Sequence, residues 1–172
     1  IYNIPQLAGV SLTLSLLKEM LKNPNVIGVK NSSMPTQDIQ MFKRQAAINN
    51  KEVVVFNGPD EQFVGGRIIG ADGGIGGTYG VMPELFVKLN SLIESGDFEN
   101  AGKLQDDIDE VIYTMCSANG NMYAVAKAAL KKLSGIDLGG VRAPLLNLSD
   151  EDNDIVEKVV FLVETAIGKW IK

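Results

Sequence analysis

Residues 26–33 read VIGVKNSS, an apolar run that ends at Lys30 and passes directly into polar residues. Turn-forming residues flank the run on both sides, and this pattern is typical of a buried strand in a parallel sheet. A lysine at the carboxyl end of such a strand either extends its ammonium group into solvent or acts as an amine nucleophile toward carbonyl compounds. The strand alone favours the first interpretation, because charged groups are seldom buried.

Three further segments have the character of strands, and helical patterns separate them. Predicted strands lie at residues 1–3, 26–30, 53–56 and 73–78, with predicted helices at 11–22, 36–48, 60–69 and 83–95. Strands that alternate with helices form right-handed units with a parallel sheet, and four such units make half of an eightfold barrel. Beyond Gly96 the predicted elements are helices only, at residues 98–115, 122–133 and 150–171.

The expected fold class is therefore α/β, with the C-terminal half of a (β/α)8 TIM barrel followed by a helical C-terminal extension. Residues 1–96 would form the second half of the barrel, and residues 97–172 would form the extension. Four buried parallel strands without partners would leave two open apolar edges. The chain is thus expected to be the C-terminal part of a longer polypeptide.

In parallel barrels the active site lies at the carboxyl ends of the strands, in the loops that follow them. Here these loops read YNIP at residues 2–5, KNSS at 30–33, NGPDE at 57–61 and GGIGGTY at 73–79. Together they would bring an amine, a phenol, hydroxyl groups, two carboxylates and bare glycine backbone to one mouth. This convergence favours a chemical role for Lys30 over the solvent-exposed alternative.

The composition excludes several classes of function. The chain has 172 residues, of which 45% are hydrophobic and 22% charged, and its net charge of −5 disfavours a nucleic-acid partner. No apolar run approaches the roughly 20 residues that a membrane span needs. Cys116 is the single cysteine, so a reducing, cytoplasmic setting is expected. Histidine is absent, which excludes Ser–His, Cys–His and His–metal sites.

Two other patterns have simpler interpretations. The glycine-rich segment at residues 73–77 matches neither common phosphate-binding spacing, so its glycines are expected to allow a ligand or a neighbouring strand to approach closely. The acidic segments at residues 106–110 and 150–154 lack the ligand spacing of a calcium loop. They are expected to be solvated helix faces.

Taken together, the motifs resemble those of the N-acetylneuraminate lyase and dihydrodipicolinate synthase family. The motifs are YNIP at residues 2–5, GVKNSS at 28–33, NG-x-DE at 57–61 and GADGGIG at 70–76. The resemblance runs from residue 1 to the end of the chain and covers the second half of the family's fold. Members of this family are class I, pyruvate-dependent aldolases on a (β/α)8 barrel, and they are usually homotetramers.

The resemblance implies a role for each matched residue. Lys30 would form a Schiff base with the keto carbon of pyruvate, so that neither a cofactor nor a metal is required. Tyr2 would be the phenol beside it, relaying protons and assisting carbon–carbon bond cleavage. The residues that would bind the substrate are Ser32, Gly58, Asp60, Glu61, Gly76 and Gly77.

Within the family, two features favour N-acetylneuraminate lyase, which cleaves its substrate to N-acetylmannosamine and pyruvate. Dihydrodipicolinate synthases usually have an arginine shortly after the Tyr-Asn-x-Pro motif, whereas residues 6–9 read QLAG here. The Asp60–Glu61 pair matches the acidic pair of lyases, which can accept hydrogen bonds from a polyol tail. Gly77 departs from the family, because lyases commonly have a sugar-contacting serine there. This departure leaves room for a related sugar acid.

The alternatives are a dihydrodipicolinate synthase or other sugar-acid aldolase of the same family, and a non-catalytic half-barrel that serves in binding or assembly. The family's first half supplies the loop that binds the pyruvate carboxylate and a tyrosine that crosses a subunit interface. This chain alone is therefore expected to be inactive. Its expected partners are the missing N-terminal half-barrel, copies of itself in a tetramer, and pyruvate with a sugar acid as substrates.

Overall fold

The computed structural model describes residues 1–171 and divides into two units, the first at residues 1–76 and the second beginning at Gly77. In the first unit, four parallel strands form one sheet in the order β1-β2-β3-β4. These strands are β1 (Tyr2–Asn3), β2 (Gly28–Asn31), β3 (Val54–Asn57) and β4 (Gly73–Gly74). The helices of this unit are α1 (Pro5–Ala8), α2 (Leu14–Met20), α3 (Gln37–Ile48) and α4 (Phe63–Ile68), and a 3-10 turn at Asp60–Gln62 precedes α4.

Side chains alternate between the two faces of this sheet. Val29 and Val55 lie on one face and are almost fully buried in the core of the unit. The core is completed by Leu17 of α2 and by Ile39 and Phe42 of α3. Because successive residues of a strand point to opposite faces, Lys30 and Phe56, which follow these valines, face the other side of the sheet.

Helix α2 begins later than the sequence predicts. Thr13 has an extended backbone, and its Oγ1 accepts a hydrogen bond of 3.1 Å from the N–H of Leu16. This is the geometry of a helix N-cap, so the predicted helix at residues 11–22 is wrong at its start. The separate helical turn α1 was not predicted.

Strand β4 is shorter than the predicted stretch at residues 73–78. Gly74 pairs with Asn57, which is the last residue of β3. The N–H of Ile75 donates the next bond, 2.9 Å long, to the Asn57 carbonyl. Since β3 ends at Asn57, its pairing with β4 ends there as well.

The second unit is helical, as the sequence predicts. Its helices are α5 (Pro83–Glu94), α6 (Phe98–Cys116), α7 (Met122–Ser134) and α8 (Asn153–Trp170), with a 3-10 turn at Asp150–Asp152. Its core includes Leu104, Ile108, Ile112 and Met115 of α6, and Val159 and Val163 of α8. The division at residue 96 into barrel and extension stays a prediction, and residue 172 lies outside the described residues. Within residues 1–171, no helix combines the length and the apolar character that crossing a membrane requires.

The acidic segment at residues 150–154 is not wholly solvated, which corrects the prediction. Asp152 is 0% exposed. Its carboxylate accepts hydrogen bonds from the backbone N–H groups of Ser149 (2.9 Å), Asn119 (2.7 Å) and Gly120 (3.2 Å). These donors, led by the Ser149 N–H, hold the pKa of Asp152 below its usual range, although burial acts in the opposite direction. Asp152 thereby fastens the loop before α7 to the start of α8.

Replacing Asp152 with asparagine should lower the free energy of unfolding at pH 7, since the amide has no negative charge and keeps only one of the two acceptor oxygens. The lowered pKa means that this stabilisation is present above the unfolded-state pKa of about 3.9 and is lost as the pH falls through the folded-state pKa. Denaturant titrations of wild type and D152N should therefore converge in acid. Exposed Asp154 provides the control variant D154N, and equal stability of D152N and wild type at pH 7 would contradict this account.

Candidate active site

A row of residues crosses the sheet on the face opposite the helix-packed core. In the strand register, Tyr2 lies beside Lys30, Lys30 beside Phe56, and Phe56 beside Gly73. The backbone fixes this row, because the N–H of Lys30 donates to the carbonyl of Ile1 at 2.8 Å. The structure therefore brings together the two residues that the sequence proposes as catalytic.

Lys30 and Tyr2 are in direct contact. The Nζ atom of Lys30 lies 4.3 Å from the centroid of the Tyr2 ring, in a cation–π arrangement. Lys30 is half-buried, while Tyr2 is 54% exposed. An amine in this position can attack a carbonyl carbon. The iminium ion that results is also a cation, so the face of the ring stabilises the product as well as the ammonium group.

A second row, one residue further along each strand, holds the strand ends in place. Asn3, Asn31 and Asn57 are in register, and all three are buried. The Asn3 amide donates to Oδ1 of Asn31 at 2.7 Å, and Oδ1 of Asn3 accepts from the N–H of Leu12 at 3.0 Å. The same Asn31 oxygen lies 3.4 Å from the N–H of Ser33. These bonds hold Asn31, the residue after Lys30, to Asn3, the residue after Tyr2.

The asparagine row was not predicted from the sequence. The signal was present, because three of the four strand ends read Tyr-Asn, Lys-Asn and Phe-Asn. A buried amide at the same position of adjacent parallel strands can be satisfied by its neighbour, whereas an isolated one has no such partner. Here Asn3 and Asn31 share such a bond, whereas the Asn57 amide donates to the carbonyl of Pro59 in its own loop at 2.6 Å.

Ser32 and Gly58 are brought together at the ends of β2 and β3. The N–H of Gly58 donates to the carbonyl of Asn31 at 2.8 Å. A Cβ atom at position 58 would overlap the Ser32 hydroxyl and would lie 2.6 Å from the Asn31 carbonyl oxygen. Glycine is therefore required at position 58, and the Ser32 hydroxyl lies against the start of the β3 loop.

The remaining predicted residues lie in different surroundings. Asp60 begins the 3-10 turn and is only 6% exposed, whereas Glu61 beside it is exposed. Gly76 is half-buried at the end of the first unit. Gly77 is exposed and belongs to the second unit, where a Cβ atom would lie 2.7 Å from the hydroxyl oxygen of Tyr123. Among residues 1–171, no group of three or more acidic or cysteine side chains could hold a metal ion.

Replacing Gly58 with alanine should reduce the free energy of unfolding by about 1–3 kcal/mol, because the new methyl group displaces Ser32 and the β2 backbone. Denaturant titration measures this change. Gly65 of α4 provides a matched control, since a Cβ atom there would lie at an ordinary contact distance of 3.9 Å from Cγ2 of Thr36. G65A should be neutral or more stable by up to about 1 kcal/mol. A G58A protein as stable as wild type would show that the close approach is not tight.

Known proteins resemble this chain along its whole length. Residues 1–162 match the sequence model of the dihydrodipicolinate synthetase family. N-acetylneuraminate lyase of Mediterraneibacter gnavus is 59% identical over 171 residues, which are 99% of this chain and 53% of that protein. N-acetylneuraminate lyase 2 of Escherichia coli O6:H1 is 31% identical over 92% of this chain and 50% of that protein.

Solved structures give the same relationship. The wild-type sialic acid aldolase of Ruminococcus gnavus superposes with a TM-score of 0.95 at 59% identity, over 99% of this chain and 56% of that one. A catalytic lysine mutant of the same aldolase gives a TM-score of 0.96 at 58% identity, over 99% of this chain and 55% of that one. The chain thus spans about half the length of the relatives it matches. The expected fold, half of a TIM barrel with a helical C-terminal part, is confirmed.

Proposed function

Because this chain belongs to the dihydrodipicolinate synthetase family, we propose that it supplies the C-terminal half of an N-acetylneuraminate lyase. The reaction is the reversible retro-aldol cleavage of N-acetylneuraminate to N-acetylmannosamine and pyruvate. The contact between Lys30 and the Tyr2 ring carries the proposal, since it places an amine and a phenol side by side at the strand ends. The 59% identity to the M. gnavus lyase supports the choice of substrate.

Lys30 is the nucleophile of this mechanism. Its neutral amine attacks the keto carbon of the open-chain sugar acid, and loss of water gives an iminium ion. The bond between the methylene carbon beside the iminium carbon and the next, hydroxyl-bearing carbon then breaks. Its electron pair moves toward the iminium nitrogen, which gives a neutral enamine. Protonation of the enamine carbon and hydrolysis release pyruvate and restore the amine.

Tyr2 moves protons in this mechanism. Cleavage requires removal of the proton from the hydroxyl group that becomes the aldehyde of N-acetylmannosamine, and the enamine carbon later takes up a proton. A phenol beside the reacting nitrogen is suited to relay both, and the chain has no histidine to do so. The ring face also stabilises the iminium charge during the reaction.

The sugar binds at the loops that follow β2, β3 and β4. Ser32 offers a hydroxyl group, and the buried carboxylate of Asp60 and the exposed carboxylate of Glu61 accept hydrogen bonds from the polyol tail. Gly58 is buried against Ser32 and lines the same loop, half-buried Gly76 leaves its backbone accessible to the sugar, and Gly77 follows Gly76 in the chain. No arginine occurs in residues 6–9, which argues against a dihydrodipicolinate synthase.

The proposal has further parts that concern the whole protein. The chain alone is inactive and works together with an N-terminal half-barrel that binds the pyruvate carboxylate. The complete enzyme is a homotetramer in the cytoplasm, and it uses a covalent Schiff base at Lys30 in place of a cofactor or metal. Neither nucleic acid nor a membrane is among its partners.

A complementation experiment tests the function. The chain is co-expressed with the N-terminal half of the M. gnavus lyase, and the purified assembly is assayed for pyruvate release from N-acetylneuraminate and for condensation of pyruvate with aspartate semialdehyde. We expect sialic acid cleavage and no condensation with the semialdehyde. The chain without the added half should release no pyruvate.

Variants of the assembly test the assigned roles. K30A should reduce kcat by about a thousandfold or more, because the covalent step is lost. Y2F should reduce kcat by roughly 10²- to 10⁴-fold, the usual contribution of a proton-transfer group. K18A, at an exposed lysine of α2, is the matched control and should be unaffected. Failure of the assembly to cleave any sialic acid, or full activity of K30A, would refute the proposal.

A further inference from the structure

Gln62 connects two of the loops at the carboxyl ends of the strands. It is the last residue of the 3-10 turn that follows β3, and both polar atoms of its side-chain amide contact the loop after β2. Its Oε1 accepts a hydrogen bond of 3.0 Å from the Thr36 hydroxyl group, and its Nε2 donates to the carbonyl of Met34 at 3.3 Å. The amide therefore holds the outer part of the loop at residues 32–36.

The Thr36 hydroxyl group makes this contact in place of a helix cap. Thr36 directly precedes α3, where a threonine side chain commonly accepts a hydrogen bond from a backbone N–H of the first helical turn. Within residues 1–171, this hydroxyl group caps no N–H of α3 and donates to Gln62 instead. The side chain that could stabilise the helix end thus joins the two loops.

The same two loops are also joined where they leave the sheet. Gly58 donates its N–H to the carbonyl of Asn31 at 2.8 Å, and the Ser32 hydroxyl group lies against Gly58. With Gln62 at their outer ends, the loops after β2 and β3 are fastened to each other at two points. They therefore form one wall of the candidate site in the first unit.

This wall carries groups to which the proposed function assigns the sugar. Ser32 belongs to the loop after β2, whereas Asp60 and Glu61 lie directly before Gln62 in the same turn. The contact made by Gln62 thus fixes the turn of the two carboxylates against the loop of the hydroxyl group. Lys30 is placed differently, by the backbone pairing of β2 with β1 and β3.

We propose that Gln62 is a positioning residue for the sugar part of the substrate, because it sets the distance between the Ser32 hydroxyl group and the acidic pair at residues 60–61. The inference rests on the proposed function. A polyol that bridges two loops binds best when its partners are already held at the right spacing, since ordering a loose loop costs binding free energy. Pyruvate bonds to Lys30 and has no polyol tail. Gln62 therefore controls the affinity for the sugar and not the affinity for pyruvate.

Replacing Gln62 with alanine in the assembly of this chain with the M. gnavus N-terminal half tests the role. In the condensation direction, the KM for N-acetylmannosamine should rise about 3- to 10-fold, which is the usual effect of losing one neutral hydrogen bond. The KM for pyruvate and the reductive trapping of pyruvate on Lys30 should not change. A merely structural defect would alter both KM values. Q40A, at an exposed glutamine of α3, is the matched control.

Variants of Thr36 test the same bond from the other loop. T36V removes the hydroxyl group and keeps the branched shape, whereas T36S keeps the hydroxyl group. We expect T36V to raise the KM for N-acetylmannosamine and T36S to match wild type. Because Gln62 and Thr36 act through one contact, the double variant Q62A/T36V should be no worse than Q62A alone. T36V also decides the question if Q62A does not fold.

Three results would overturn the inference. They are an unchanged KM for N-acetylmannosamine in Q62A and T36V, an equal rise in the KM for pyruvate, and additive effects of the two substitutions. The parent assembly separates this inference from the function: if it cleaves no sialic acid, the proposed function fails and the inference falls with it. Cleavage by the parent with one of the three results above overturns the inference alone.

Discussion

The parallel register of β1, β2 and β3 is the constraint on which the site depends. It sets Tyr2 beside Lys30 and assigns each residue of β2 to a face, so that Val29 enters the core while Lys30 faces away from it. Slipping the register by one residue would exchange these faces, burying the lysine among apolar side chains. The cost of burying that charge and exposing the valine specifies one register, and the geometry of the site follows from it.

The asparagine row lies on the face of the sheet that carries Val29, opposite to Lys30, and it reinforces the same register. Asn3 and Asn31 share a hydrogen bond only when β1 and β2 are correctly aligned. A shifted pairing would leave buried amide groups unsatisfied, at a cost of about 1–3 kcal/mol each. The hydroxyl group of Ser33 extends this connection to Asp38 of α3, through a bond of 2.7 Å. Core packing and polar bonding therefore select the same arrangement, and the loop that carries Ser32 is held as a result.

The sequence predicted the fold and the family because the relevant signals are local. Lys30 ends a clear apolar strand, and the motifs around it have fixed spacing. Boundaries were less accurate where one residue decides them, as at Thr13, or where pairing with another strand sets the length, as in β4. The burial of Asp152 and the position of Tyr123 beside Gly77 were missed. Both depend on contacts between residues far apart in the chain, which no local pattern reveals.

The central claim is that Lys30 is the amine that bonds to the keto acid. The most direct measurement is the intact mass of this chain, assembled with the M. gnavus N-terminal half, after incubation with pyruvate and borohydride, followed by peptide mapping. We predict a single reduced pyruvyl adduct on Lys30, and no adduct in K30A. An adduct on another lysine, or none in an assembly shown to be folded, would contradict the claim.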